Sequence, residues 1–345
     1  MKSNYMLLAL TVASCLFIMN CGQKPVGIHR YVVQVNDLYG FINEFGEIVI
    51  TPQFTEVTPF SEDLACVRKG TMWGYIDKTG TFVIDPQFDS ATPFHEGYAA
   101  AEIGSVRRYI NSQGETVFVH AHTFAGYFSE GLAPIAEQGR LGFMDTLGRV
   151  IIAPEFDDCA HFSQGVAPVS TGSSVIYNRT VGGSWGFINT EGTFVIEPQY
   201  DYAYPFSEGL GAVNIGGKIL HGIPEDGMWG YIDSTGTYLI PAQFDQAIPF
   251  SEGLAAAQKD GLWGYINTRG EFVIRPSFDE AHQFVNERAR VAFRGKYGYI
   301  NPQGIVVIAP QYAHADDFHN NLARVMTDKG WAYIDPDGQL IWQTQ

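Results

Sequence analysis

The sequence predicts an all-β fold: a tandem array of nine three-stranded β-meanders, about 34 residues each, stacked as an open, solenoid-like array. A closed β-propeller is the alternative. Three observations lead there. One phrase, "DGMWGYIDSTGTYLIPAQFDQAIPF" from Asp226 to Phe250, returns as "DGLWGYINTRGEFVIRPSFDEAHQF" from Asp260 to Phe284, and it stands near Gly70 as "GTMWGYIDKTGTFVIDPQFDSATPF". Charged residues are 17% and aromatics 14%, with 38 glycines, a balance that suits strands and turns better than helices. Every copy also carries Asn or Asp followed three residues on by Gly, which reads as a tight hairpin turn.

The chain opens with a targeting signal over residues 1–20. Lys2 precedes a hydrophobic run from Tyr5 to Met19. The run is short for a membrane span, and no later stretch reaches about 18 apolar residues. It ends in "IMNCG", which resembles a relaxed bacterial lipobox with Cys21 as the lipidated residue. A diacyl thioether plus an acylated amine supplies the several chains that stable anchoring needs. The other reading is an ordinary signal peptide with Cys21 a bystander. Residues 21–30 are then a tether, and 31–345 the array. The expected location is the bacterial cell envelope, on the outer membrane, facing the periplasm or the cell surface. Cys66 and Cys159 are 93 residues apart with no CxxC, so they read as two small thiols rather than a disulfide framework.

Within the array, the Gly position of the Trp-Gly step sets the register: Gly40, Gly74, Arg108, Gly142, Gly186, Gly230, Gly264, Gly298 and Ala332. The intervals are 34 except for two of 44, so two repeats carry ten extra residues. An aromatic follows each anchor, from Phe41 to Tyr333, and a Phe stands twenty after it in every repeat long enough to have one. "WGYIDKTGTFVI" reads as strand, turn, strand. Asp77 opens the turn and Gly80 closes it in the left-handed region, which explains the nine recurring Asn or Asp residues without a metal. A glycine inside a strand marks close backbone approach. Pro ends the second strand of the hairpin, and "SEGLAAV"-like sequence begins the next unit. A lone meander cannot bury its aromatic face, so units must stack.

These columns resemble the bacterial WG-repeat family, also called KWG repeats, over about residues 31–345. The motif is nearly intact at Met72–Ala99, Met228–Ala255 and Leu262–Ala289. Repeat 3 departs most, with Arg107 and Arg108 for Trp-Gly and His120 for Pro, and repeat 9 has Trp331-Ala332. The resemblance implies a secreted or lipidated bacterial protein that binds partners. It brings no catalytic residues.

Nine units exceed the usual propeller blade number, and the chain starts at a first strand and stops after a third, which favours the open array. Both insertions fall between the first and second strands of consecutive repeats, where neighbouring loops lie side by side. They place Val175, Ile176, Tyr177, Arg179, Lys218, Ile219, Leu220 and His221 in one candidate partner-binding patch. Loop growth without a role is the competing reading. His120 and His122 share a strand face but lack a third ligand, so no metal is expected. The aromatic column Tyr39, Trp73, Trp185, Trp229, Trp263, Tyr297 and Trp331 would form a glycan groove only if it faced solvent. A net charge of −16, or −17 once the signal with its single Lys2 is removed, argues against nucleic acid. No nucleophile elbow, P-loop or zinc-protease motif occurs, and no cofactor is expected. The expected activity is binding rather than catalysis, with a protein partner first, a glycan or peptidoglycan second, a glycan-processing enzyme third, and membrane contact through the N-terminal lipid alone.

Overall fold

The structure is a computed structural model and describes residues 28–176, 179–220, 223–224 and 226–344. Every regular element in them is a strand. The strands form nine small antiparallel sheets and one extra two-stranded hairpin. Blade 7 shows the pattern. Its short strand Gln246–Ala247 is followed by a first strand Ala255–Lys259, a second Leu262–Ile266 and a third Phe272–Phe278, paired in that order. The unit thus has four strands where three were expected. The extra one is two residues at the start of the connector, too short to show an alternating pattern.

Local chemistry explains each turn. Asp260 and Gly261 both take positive φ between Lys259 and Leu262, the two-residue connection that matches strand twist. At the next turn the Asn267 Oδ1 accepts the amides of Arg269 (2.9 Å) and Glu271 (3.2 Å), while the Gly270 amide donates to the Asn267 carbonyl at 2.9 Å. The same side-chain-to-backbone turn recurs from Asn43 to Asp335. No metal is needed to explain the Asn/Asp column.

The anchor glycine has a specific task. A Cβ on Gly264 would lie 2.5 Å from the Ile274 carbonyl oxygen and 2.7 Å from the Pro276 nitrogen. The pairing jumps from Trp263↔Phe278 to Tyr265↔Ile274, so the third strand arches over the glycine at Pro276. The two sheets with a Cβ at this position have no such arch. In blade 3, Arg107↔His120, Arg108↔Val119 and Tyr109↔Phe118 pair without interruption, and in blade 9 Ala332↔Gln343 and Tyr333↔Trp342 do the same. The irregular repeats follow from this one steric fact.

Most blades join through a single residue, the exceptions being the longer links from His120 to Phe124 and from Tyr312 to Ala315. Phe278 ends one third strand, Asp279 turns, and Glu280 begins the next short strand. The connector phenyl of each following blade then packs on the core aromatic of the preceding one. Phe41–Phe60, Tyr75–Phe94, Tyr265–Phe284 and Tyr299–Phe318 have ring centroids 4.8 to 5.0 Å apart. Buried clusters therefore straddle blades: one joins Trp229, Tyr231 and Phe244 to Phe250, Ala257 and Ile266. Two rows of polar bonds reinforce the joints. The Ser251 hydroxyl donates to the Phe284 carbonyl at 2.7 Å, as do Ser61, Ser129, Ser163 and Ser207 to their counterparts. The Glu252 carboxylate accepts the amides of Asn286 (2.7 Å) and Glu287 (2.8 Å), and Glu62, Glu96, Glu130 and Glu208 reach the next turn in the same way.

The favoured open array is corrected here: the units close into a ring of nine blades. Tyr31 and Tyr333 rings meet at 5.6 Å, the Tyr333 hydroxyl donates to the Val32 carbonyl at 2.8 Å, and the Asn321 amide donates to the Tyr31 hydroxyl at 3.3 Å. Tyr31, Val33, Ile42, Leu322 and Tyr333 form one buried cluster across the seam. The missing shared strand had suggested openness. Side-chain packing replaces it. Residues 28–30, expected in the tether, are held on the ring: the amides of Ile28 and His29 donate to the Glu44 carboxylate, and Arg30 Nε donates to the Lys78 carbonyl.

Candidate functional site

The two insertions are lengthened hairpins on neighbouring blades. In blade 5 the first strand runs Val166–Ile176 and the second Arg179–Asn189, paired to the tip at Ile176↔Arg179. Val175, Ile176 and Arg179 therefore stand at the end of a long ribbon. In blade 6, Ile219–Leu220 pairs with Ile223–Pro224 as a separate small hairpin. That hairpin lies against the second strand of blade 5, so the structure brings the two insertions together. Tyr177 and His221 lie outside the described residues. Ile219 is buried and packs its hairpin down. The Lys218 amide donates to the Asp226 carboxylate at 2.7 Å, and Gly217 donates to Asp201 at 3.0 Å, which fixes the base of the loop.

The Trp column does not face solvent. Trp229 is 1% exposed and stacks on Tyr204 with centroids 5.3 Å apart; Trp185 is 6% exposed and packs on Tyr202. Tyr39, Trp73, Trp263, Tyr297 and Trp331 are half-buried. The apolar positions that do face out lie on the third strands, at the edge of each sheet. Val49, Val83, Val117, Ile151, Val195, Leu239 and Val273 repeat at one position, each between 37% and 53% exposed. Pro on most of these strands blunts the free edge against pairing with another sheet.

In blade 3, His120 stacks on His122 (5.8 Å) beside Arg107, and Arg107 donates to the His122 carbonyl at 2.9 Å. Burial, then the charges of His122 and Arg107, push the His120 imidazole down to about 4. A neutral, crowded imidazole follows. Among the described residues no group of three or more His, Cys, Asp or Glu is placed to hold a metal.

A polar cluster that sequence reasoning missed lies in blades 8 and 9. Arg290 Nη2 meets His282 Nδ1 at 3.0 Å. Arginine can only donate, so Nδ1 accepts and the ring proton sits on Nε2. Burial first, and the Arg290 cation second, lower the His282 pKa accordingly. Arg290 Nε is also in ion-pair contact with Asp317 Oδ1 at 3.1 Å, without hydrogen-bond alignment. Arg324 pairs with Asp316 at 2.7 Å and covers the Trp331 ring at 4.4 Å. The available signal was the connector "ADDFHN", where other repeats carry "TPFSE"-like sequence. Beside this cluster a cavity of about 480 Å³ opens at the seam.

Nine four-stranded or three-stranded sheets set around a ring define a β-propeller. The family model of the WG containing repeat matches residues 39–70, 73–105, 142–173, 185–218, 229–263, 263–297 and 297–331, more than half of the chain, and the protein belongs to that family. The matches leave out residues 106–141 and those after 331, where the anchors are Arg108 and Ala332, and also the two inserted stretches, 174–184 and 219–228. No curated protein matches the sequence. A crystal structure of a eukaryotic initiation factor superposes with a TM-score of 0.62 at 10% identity, covering 90% of this chain and 94% of that one. Hsv2 of Kluyveromyces lactis gives a TM-score of 0.40 at 10% identity, over 81% and 94% of the two chains. The quinohemoprotein alcohol dehydrogenase of Comamonas testosteroni gives 0.40 at 10%, over 72% and 65%. At such identities the first likeness concerns the fold alone.

Proposed function

We propose that this protein is a lipid-anchored scaffold of the bacterial cell envelope, held on the outer membrane through Cys21, that binds a protein partner without catalysing a reaction on it. The observation that carries the reading is the pair of insertions. Two repeats out of nine are longer, they are consecutive, and their extra hairpins lie against each other. A repeat ring needs neither hairpin for its own closure, because seven blades pack without one. Lengthened neighbouring loops on a rigid frame are a common way to build a recognition surface. The exposed Val, Ile and Leu column on the third strands adds apolar area at one place per blade.

The test restores the 34-residue spacing in blades 5 and 6, removing ten residues from each hairpin, and compares partner crosslinking in intact cells with the parent protein. Loss of the crosslinked partner with an unchanged ring, checked by far-UV spectra and melting, is the expected result. An unchanged crosslink pattern would remove the insertions from the interface. A Cys21→Ser form that still sediments with the outer membrane would separately remove the anchor.

A further inference from the structure

The joint between blades 3 and 4 lacks the apolar plug that its neighbours have. The residue ahead of each anchor is aromatic except in blade 4, which has Leu141, and blade 3, which has Arg107. At regular joints this ring packs into the core shared with the next blade. Trp73 belongs to the cluster of Ala91, Phe94 and Ala101, Trp229 to that of Ala247 and Phe250, and Trp263 to that of Ala281 and Phe284. Blade 3 pairs Arg107 with His120 where blade 2 pairs Trp73 with Phe88. The Arg107 side chain is 47% exposed, with Nε 3.6 Å from Glu102 and Nη1 donating to the His122 carbonyl. Beside it a cavity of about 180 Å³ separates the two blades, lined by Glu102, Arg107 and His120 of blade 3 and by Thr123, Phe124 and Ala125 next to them. Ala125 holds the column of Ala91, Ala247 and Ala281, the residues that share clusters with Trp elsewhere. We propose that this cavity is a socket for one aromatic side chain of a protein partner, an indole or a phenol, which takes the place that the chain's own Trp holds at other joints.

Three features select that occupant. The first is shape. The repeat geometry builds this space around a planar ring at joint after joint, and here the space remains while the ring is missing. The second is the polar lining. The Glu102 carboxylate and the Ser90 hydroxyl are acceptors on the wall, and His120 has a buried Nδ1 without a hydrogen-bond partner. A plain phenyl ring would leave these groups unused, whereas an indole N–H or a phenol O–H gives them a donor. The third is Arg107. A guanidinium beside an aromatic socket can cover the ring face, as Arg324 covers Trp331 at 4.4 Å in blade 9. Phe124, 52% exposed, adds a second ring beside the first. A sugar fits less well, because Ala100, Ala101 and Ala125 offer its hydroxyls no side-chain partner.

The socket deepens the protein-partner reading by naming the group recognised, and it rests on neither inserted hairpin. Its position also differs: it opens between blades 3 and 4, and the insertions belong to blades 5 and 6.

The test uses the full chain with N-acetyl-L-tryptophanamide as the probe. Ligand-observed NMR should show saturable binding with a dissociation constant on the order of 1 mM, the scale of one buried ring. The amide signals of Arg107 and of Thr123 to Ala125 should shift with the same saturation. Arg107→Trp puts the family's residue back, so it should abolish binding and raise the melting midpoint by filling the joint. Phe124→Ser, at an exposed position, should weaken binding several-fold with the ring intact. Absence of saturable binding would overturn the proposal. So would binding that survives Arg107→Trp, an unchanged affinity in Phe124→Ser, or shifts confined to other blades. Saturation of the same amides by N-acetylglucosamine, with none by the indole, would overturn it in favour of a glycan. Shortening both hairpins of blades 5 and 6 should leave probe binding unchanged, so failure of the insertions as an interface and failure of the socket are read separately.

Discussion

Gly264→Ala isolates the feature that distinguishes regular blades from irregular ones. The added methyl would sit 2.5 Å from the Ile274 oxygen, 2.7 Å from the Pro276 nitrogen and 2.9 Å from the Arg275 carbonyl carbon. All three are backbone atoms, so no rotamer change relieves the contact. Either the arch flattens, which moves Phe278 off Trp263, or the two strands separate. Overpacking of this kind costs about 1–3 kcal/mol, and backbone displacement puts this case near the top of that range. Gly261→Ala is the matched control. Its φ is +78° but nothing lies within 4 Å, so only left-handed strain remains, about 1 kcal/mol. Urea unfolding followed by Trp fluorescence, with amide exchange over blade 7, separates the two. The steric account is refuted if Gly264→Ala costs no more than Gly261→Ala, or if Ala332→Gly destabilises blade 9 as strongly.

Ser251→Ala should lower stability by about 1 kcal/mol, the net value of one partly buried hydrogen bond, and should speed exchange on both sides of the joint to Phe284; no change in exchange would deny the bond a role. His120 has a folded pKa of about 4 against an ordinary 6.5, so the unfolded chain binds the proton more readily and stability falls as pH drops through that window. In His120→Gln that part of the acid dependence should vanish, and an unaltered slope between pH 6.5 and 4 would contradict the assignment. Burial pushes the Cys66 thiol up to about 12, so it should resist iodoacetamide at pH 8 in the native ring and react on unfolding; fast native alkylation would show the site to be open.

Much of the ring was legible from residue columns, for reasons the structure makes plain. The Asn/Asp and Gly positions are visible because one side chain and one left-handed residue make a complete turn, without help from the rest of the protein. The anchor glycine was readable as close approach, though the arch over it was not. Closure was illegible. Whether nine wedges meet depends on small angles set at each Phe-on-Tyr joint, and no single residue records their sum. The two-residue short strands left no periodic trace either. The insertions were found by spacing, and their mutual contact followed because neighbouring blades repeat the same geometry. The Arg290, His282 and Asp317 cluster was hidden because its members belong to different repeats and each replaces an unremarkable column residue.

The seam has a mechanical consequence. Eight joints around the ring are covalent, six of them crossing from blade to blade through a single residue such as Asp89 or Asp279. The ninth, between Tyr31 and Tyr333, is not. The chain therefore enters and leaves at one point of the circumference. Tension between the two ends would load that joint in series and alone, parting it before any sheet unravels. Tension applied through the N-terminus and a partner seated on blades 5 and 6 would divide between two arcs of the ring, and the covalent arc from blade 1 through blade 4 would carry it. Pulled in that direction, the molecule behaves as a closed link, and pulled by its ends, as a clasp.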